Sequence, residues 1–288
     1  MNLKKELSVA KELAKEAGKV ILNLQNTTKV SFKANGEGPV TEADLEADKI
    51  IYKGLKKVFQ DDQIITEESY LTGTVIPKKG RLWLIDPIDG TSDYIRGGSD
   101  FACMIGLIID GIPRLGVIFQ PKTNSLWWGL NARGLSNAQF KTQAQKIAAG
   151  SEIIDLNIEN KELKNQGPIV AVSKSHPTIF IDFVMHELKA TKVIKKGSVG
   201  LKIALIAEGK ADFYLIGTRK IKLWDTCAPA AILLAAGGVI KTVFGENLEF
   251  SNEVSHGVHI YASTRSCEAF VKAPLEAAIA QWKKAKKG

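Results

Sequence analysis

No run of eighteen apolar residues occurs in the 288-residue sequence, so no membrane-spanning helix is expected. The first twenty residues scatter Lys and Glu where a secretory signal would stay apolar, and the expected setting is a soluble protein of the cytoplasm. Cysteine is scarce. Cys103, Cys227 and Cys267 show no CxxC spacing and stand in apolar or helical contexts, which favours reduced thiols over bridges or a thiolate zinc site. Internal repeats and low-complexity segments are also lacking. A chain that is 45% hydrophobic and 24% charged falls outside the disordered, collagen-like and disulfide-scaffold classes.

Acidic residues are outnumbered, 31 Asp+Glu against 39 Lys+Arg, for a net charge of +8. That balance suits an anionic partner, either nucleic acid or a phosphorylated metabolite. The one dense basic run, Lys283, Lys284, Lys286 and Lys287, closes a C-terminal helix, where cations complement the helix dipole. No aromatic residues interleave with it to stack bases, so a small phosphorylated metabolite is expected and a nucleic acid is not.

Apolar residues at Leu3, Leu7, Ala10, Ala14, Ala17, Ile21 and Leu24 form one stripe of a long first helix. Thr41-Glu-Ala-Asp44 has the form of a capping box opening a second helix. Strands are predicted at Gln63–Thr66, Arg81–Ile85, Phe101–Ile109 and Arg114–Phe119. Trp127, Trp128 and Phe101 fit core positions better than base-stacking platforms. Beyond residue 150, strands (169–172, 192–194, 211–215, 238–242, 258–262) alternate with helices (179–188, 199–208, 226–236, 268–284). The expectation is an α+β domain over 1–150 and an α/β domain over 151–288, joined through the polar stretch 146–167.

The densest chemistry lies in Trp83–Asp93, WLIDPIDGTSD. An apolar strand ends in two acids three apart, with Pro87 fixing a turn and Gly90-Thr91 opening a short helix. Such a strand end can aim two carboxylates and the Ile88 carbonyl at one point, a set of hard oxygens suited to Mg²⁺ or Mn²⁺. Asp86 and Asp89 can equally cap turn amides. Singly, the other acids also have plain readings: Glu67-Glu68 as a solvated loop, Asp225 as an N-cap, Asp44 as the partner of Thr41. Position in the fold decides among them.

The ordered set VTEAD (40–44), ITEES (65–69), WLIDPIDGTSDY (83–94) and WDTCAPAAILLAAGG (224–238) resembles the inositol monophosphatase superfamily of Mg²⁺-dependent, lithium-sensitive sugar and nucleotide phosphatases. The resemblance runs over nearly the whole chain. Within the superfamily the sequence is most similar to the 3′(2′),5′-bisphosphate nucleotidases, through Ser173-Lys-Ser-His176, Gly197–Lys202 and Trp224–Pro229. The resemblance implies a layered α+β / α/β sandwich of alternating helices and sheets. It implies that Glu67, Asp86, Asp89, Asp225 and the Ile88 carbonyl hold two or three Mg²⁺ ions, with Mn²⁺ as a substitute. Four carboxylates within about 5 Å repel by roughly 3 kcal/mol per pair at an effective dielectric near 20, which cations would relieve. Thr91 and Asp44 would orient and deprotonate a water, assisted by Glu67 or Glu68, while Gly90 and Thr91 offer backbone N–H groups to phosphate. Water would then attack directly. An aspartyl-phosphate nucleophile is disfavoured, because those phosphatases use a DxD spacing.

For the substrate, the resemblance assigns Lys202 to a second phosphate, with His176 and Ser198 assisting and Arg219 or Lys220 meeting the nucleotide. Ala230 departs from the Glu that related nucleotidases frequently carry there. The expected activity is release of the 3′-phosphate of adenosine 3′,5′-bisphosphate, a by-product of sulfate activation. The alternatives are an inositol or sugar phosphatase, or a non-catalytic scaffold that binds nucleotide or RNA. The Lys33–Gly38 loop is read as a flap, and a homodimer is left open.

Overall fold

The computed structural model describes residues 2–285 apart from 34–37, 137, 164–166, 176–177 and 191. Helix α1 (Lys4–Leu24) buries Leu7, Ala10, Leu13, Ala14, Ala17 and Ile21 on one stripe. Strands β1 (Val30–Phe32) and β2 (Pro39–Thr41) pair as an antiparallel ribbon outside the main sheets. Helix α2 (Glu42–Val58) starts where Thr41 and Asp44 exchange both bonds of the capping box, satisfying backbone donors that a helix start leaves open.

A seven-stranded sheet follows in sequential order: β3 (Gln63–Thr66), β4 (Arg81–Asp89), β5 (Ala102–Ile109), β6 (Ile112–Gln120), β7 (Ser125–Leu130), β8 (Gln143–Ile147) and β9 (Ile153–Asp155). Only the β3–β4 pair is parallel. Short helix α3 (Thr91–Ile95) interrupts the connection from β4 to β5. The rest of the chain gives β10 (Ile169–Ser173), α4 (Ile179–Glu187), β11 (Lys192–Lys196), α5 (Val199–Ala207), β12 (Phe213–Ile216), α6 (Leu223–Ala236), β13 (Val239–Thr242), β14 (Ile260–Ser263) and α7 (Arg265–Ala285). Its five strands form a second, mixed sheet in the order β11-β10-β12-β14-β13.

The elements stack as helices, sheet, helices, sheet, helices, with three cores between the layers. Alternate residues of β4 show why. Trp83 and Ile85 enter the core under α1 and α2, whereas Leu82 and Leu84 enter the central core with α5, α6 and the second sheet, as the two-residue period of a strand requires. The third core packs α4 and α7 on the far face of the second sheet, with Phe213 and Tyr261 inside it. No helix of the described residues is long and apolar enough to cross a membrane.

Helix α6 lies unusually close to the large sheet. Gly106, Gly116 and Gly129 are direct cross-strand neighbours on β5, β6 and β7. A Cβ on Gly116 would sit 2.1 Å from the Ala228 carbonyl oxygen, and one on Gly129 would sit 2.6 Å from the Ile232 Cα. The glycine row is a trough that only a helix of small residues, Cys227-Ala228-Pro229-Ala230-Ala231, can enter.

Three sequence expectations change here. The polar stretch 146–167, read as a join, carries the end of β8 and the edge strand β9. Strand β4 continues through the acids to Asp89. Helix α6 begins at Leu223, so Asp225 stands three residues in from the cap at Lys222 rather than at the cap itself.

Candidate active site

Two acids three apart on a regular strand point to opposite faces. Between Asp86, opposite Met104, and Asp89, opposite Ala102, the pairing of β4 with β5 shifts. Three residues of one strand are matched by two of the other, a β-bulge. Pro87 sits in it, where a missing N–H costs no ladder bond. The bulge returns Asp89 to the face of Asp86, because Met104 and Ala102 both belong to the central core, and Ile88 goes to the opposite core. Both carboxyl groups are buried.

Glu67 arrives from the neighbouring strand, its backbone N–H donating to the Ile85 carbonyl at 3.0 Å just past β3. Asp225 arrives from across the central core on the first turn of α6. One of its oxygens accepts from the Lys222 N–H at 2.8 Å, the same backward reach that Asp44 makes to Thr41 on α2. The glycine trough holds α6 at the depth that brings this turn to the strand end.

The four acids act on one another. The Asp86 carboxyl is held well above the usual range by burial first, then by Glu67, Asp89 and Asp225. Asp225 is raised by burial and by Glu67 and Asp89. Asp89 is raised by burial, against Lys202 and hydrogen bonds from Ser198, Gly200 and Val199. Asp86 Oδ1 is buried without a hydrogen-bond partner, a costly state for a polar atom. Around them, burial lifts Asp44 to about 6 despite its bonds from Thr41, and burial with Glu67 lifts Glu68 to about 7.

These donors fit a divalent cation by their chemistry: hard carboxylate oxygens, one of them unpartnered, beside a backbone carbonyl. Among the described residues no group of three His, Cys, Asp or Glu side chains stands ready to hold a metal ion. Lys33 pairs with the adjacent acids, its Nζ lying 2.7 Å from Glu67 and 3.0 Å from Glu68.

Placement of the remaining expected residues is mixed. Gly90 and Thr91 line a cavity of about 450 Å³ together with Glu67, Asp89, Lys202 and Asp225. The Thr91 hydroxyl donates to the Ile88 carbonyl at 2.9 Å rather than to Asp44, whose Oδ2 is taken by the Thr41 N–H and hydroxyl at 2.8 and 2.6 Å. Ser198 is fully buried; it caps α5 and donates to Asp89, so it orients the Asp89 carboxyl instead of lining the cavity. Lys202 is buried, donates to the carbonyls of Gly197 (2.9 Å) and Lys196 (3.3 Å), and lies over the Tyr214 ring. Burial lowers it to about 8 against the pull of Asp89 and Asp100. Arg219 turns away to the Gly257 carbonyl at 2.6 Å, while Lys220 lines the cavity. His176 lies outside the described residues. Ala230 is fully buried in the central core.

Sequence reasoning passed over the ion-pairing role of Lys33, of which the only signal was its place before the Gly-containing loop. It also missed the far wall of the cavity, Thr178, Ile181 and Gly217, which no local motif marks. A larger groove of about 600 Å³ beside α7 carries the Lys241–Glu268 ion pair but no converging acids, so the chemistry belongs to the first cavity.

Residues 2–280 match the model of the inositol monophosphatase family. The chain is 34% identical over 244 residues to the 3′(2′),5′-bisphosphate nucleotidase CysQ of Buchnera aphidicola, covering 83% of this chain and 85% of that one. It is 31% identical to the CysQ nucleotidase of Escherichia coli K12, covering 83% and 92%. Among solved structures, a Thermotoga maritima IMPase superposes with a TM-score of 0.73 at 22% identity, over 96% of this chain and 99% of that chain.

Proposed function

The chain belongs to the inositol monophosphatase family and is a phosphoric monoester hydrolase, and from that premise we propose that it hydrolyses the 3′-phosphate of adenosine 3′,5′-bisphosphate to AMP and phosphate, using Mg²⁺. The observation that carries this reading is the buried pair Asp86 and Asp89 beside half-buried Glu67 and Asp225, of which Glu67, Asp89 and Asp225 line a cavity whose wall also holds the buried ammonium of Lys202. The CysQ names of the relatives point to the same substrate class.

Glu67, Asp86, Asp89, Asp225 and the Ile88 carbonyl would hold the ions. Bound Mg²⁺ supplies neutralisation of these acids, polarisation of phosphoryl oxygens and acidification of water. The chain's own groups handle the rest. A water oxygen bonds to phosphorus, the P–O3′ bond breaks, and the water's proton is passed on to the departing 3′-oxygen. Glu68, near 7, is matched to accept that proton at neutral pH. Thr91 is held at the strand end by the Ile88 carbonyl, and a relay through Asp44 would require that hydroxyl to turn from the carbonyl towards Asp44, whose Oδ2 is held by Thr41. Lys202 has three donors and spends two on carbonyls, which leaves one N–H for a second phosphate in the cavity.

The experiment is phosphate release under Mg²⁺ from adenosine 3′,5′-bisphosphate, inositol 1-phosphate and fructose 1,6-bisphosphate, measured side by side. The nucleotide is expected to turn over fastest, and Asp89→Asn and Thr91→Ala to abolish turnover while keeping the fold. Equal or faster release from inositol phosphate would move the assignment to the sugar-phosphate branch. Near-normal rates in either variant would refute the chemistry.

A further inference from the structure

The first turn of α6 carries Asp225, yet its approach, residues 219–223, contributes little apolar anchoring beyond Ile221 and Leu223. A second segment, 254–257, clamps it. The Leu223 N–H donates to the Val254 carbonyl at 2.9 Å, and the His256 N–H donates to the Ile221 carbonyl at 3.1 Å. The Ser255 hydroxyl reaches the Arg219 and Ile221 carbonyls, each at 3.2 Å. One side chain then crosses from this clamp to the helix: His256 Nε2 lies 2.8 Å from the hydroxyl of Thr226, the residue after Asp225.

Thr226 is fully buried. A threonine inside a helix ordinarily turns its hydroxyl back to a carbonyl three or four residues earlier. Those contacts are long here, 3.3 Å to Leu223 and 3.4 Å to Lys222, so the imidazole is the short partner. The ring is itself fixed, edge-on to Phe250 with centroids 5.2 Å apart and hydrogen-bonded to the backbone of Glu249. Burial favours the neutral imidazole. A neutral ring that donates one N–H to a backbone carbonyl has its other nitrogen left as an acceptor.

We propose that His256 is a positioning residue for the cation site: by accepting the Thr226 hydroxyl it sets the rotation of the first turn of α6 and so the direction of the Asp225 carboxylate. The clamp 254–257 is then part of the site's support, although it touches neither the cavity nor the acids. Pro229 makes such support necessary, because it has no N–H to return to the Asp225 carbonyl four residues back.

The inference rests on reading Asp225 as a cation ligand, and Mn²⁺ titration of the whole protein by electron paramagnetic resonance tests the two separately. Absence of Mn²⁺ uptake by the wild type would remove both. Given wild-type uptake, His256→Phe and Thr226→Val are each expected to weaken Mn²⁺ binding by about tenfold or more, the usual effect of losing a group that orients a ligand. The double variant should be no weaker than either single, and His256→Gln should recover most of the loss. The kcat for the nucleotide should fall with little change in KM. Should His256→Phe not fold, Thr226→Val alone carries the test. Binding within twofold of wild type in a folded single variant, or losses that simply add, would overturn the proposal.

Discussion

Gly116→Ala adds one methyl group at the bottom of the trough beneath α6. The new Cβ would lie 2.1 Å from the Ala228 carbonyl oxygen, 2.8 Å from its carbon and 2.9 Å from its Cα. All three are backbone atoms, so no rotamer change relieves the clash. Reaching ordinary contact requires the helix to retreat by more than about 1 Å. Overpacking of this kind costs about 1–3 kcal/mol, occasionally more, and lowers the melting temperature by about 2–4 °C per kcal/mol in a protein of this size class. The larger effect is geometric. Asp225 rides on the displaced helix, and an error of about 1 Å in a reacting constellation can cost about a hundredfold in rate. Thermal unfolding, Mn²⁺ titration and kcat/KM on one preparation separate these effects. The expected pattern is a melting temperature lower by about 2–12 °C, with Mn²⁺ binding and turnover reduced further than the stability loss explains. A variant that melts with the wild type and binds Mn²⁺ equally well would refute the claim that the glycine row sets the site.

Other consequences can be measured more briefly. Ser198→Ala removes the cap of α5 and the hydroxyl held by Asp89; a loss of about 1–2 kcal/mol in urea unfolding is expected, together with weaker Mn²⁺ binding, and an unchanged midpoint would contradict it. Lys202→Met should raise KM for adenosine 3′,5′-bisphosphate by about tenfold or more, the worth of a hydrogen bond to a charged group, while a nucleoside 3′-monophosphate is nearly unaffected; equal effects on both would sever Lys202 from the second phosphate. Burial lowers the His256 imidazole from 6.5 to about 4. The unfolded chain therefore takes up that proton first, and this group's contribution, present above about 6.5, is lost as pH falls towards 4. The size is at most about 3 kcal/mol, and comparing His256→Gln with wild type across pH 4–8 isolates it from the acids, whose raised values act in the opposite sense. Parallel stability curves would contradict it.

Much of this organisation is legible in the chain because its causes are local. The stripe of α1, the Thr41–Asp44 box and the bounds of β3 depend on residues within a few positions of one another. Strands β7 and β9 carry little period-two signal, because β7 is buried along its whole length, without alternation, and β9 is exposed along its whole length. In the site, the acids themselves stand out by motif, but their support does not. Ser198 meets Asp89 across 109 residues, and His256 meets Thr226 across 30. Arg219 and Lys220 are adjacent cations, and only tertiary contacts decide that one binds a carbonyl while the other faces the cavity. The start of α6 is ambiguous for a related reason: an Asp at a helix cap accepts from the amides two or three residues on, whereas Asp225 accepts from the amide of the cap residue Lys222, and the letters alone do not separate the two.

The three buried cysteines have an experimental use. Cys103 belongs to the core under α1 and α2, Cys227 to the central core, and Cys267 to the core beneath α4 and α7. All are free and fully buried, and burial pushes the Cys103 and Cys267 thiols up to about 12. Alkylation therefore waits for each interlayer space to open. Pulse labelling read by mass spectrometry assigns a separate clock to each seam without any engineered probe, and the Cys227 clock times the lifting of α6 from its glycines.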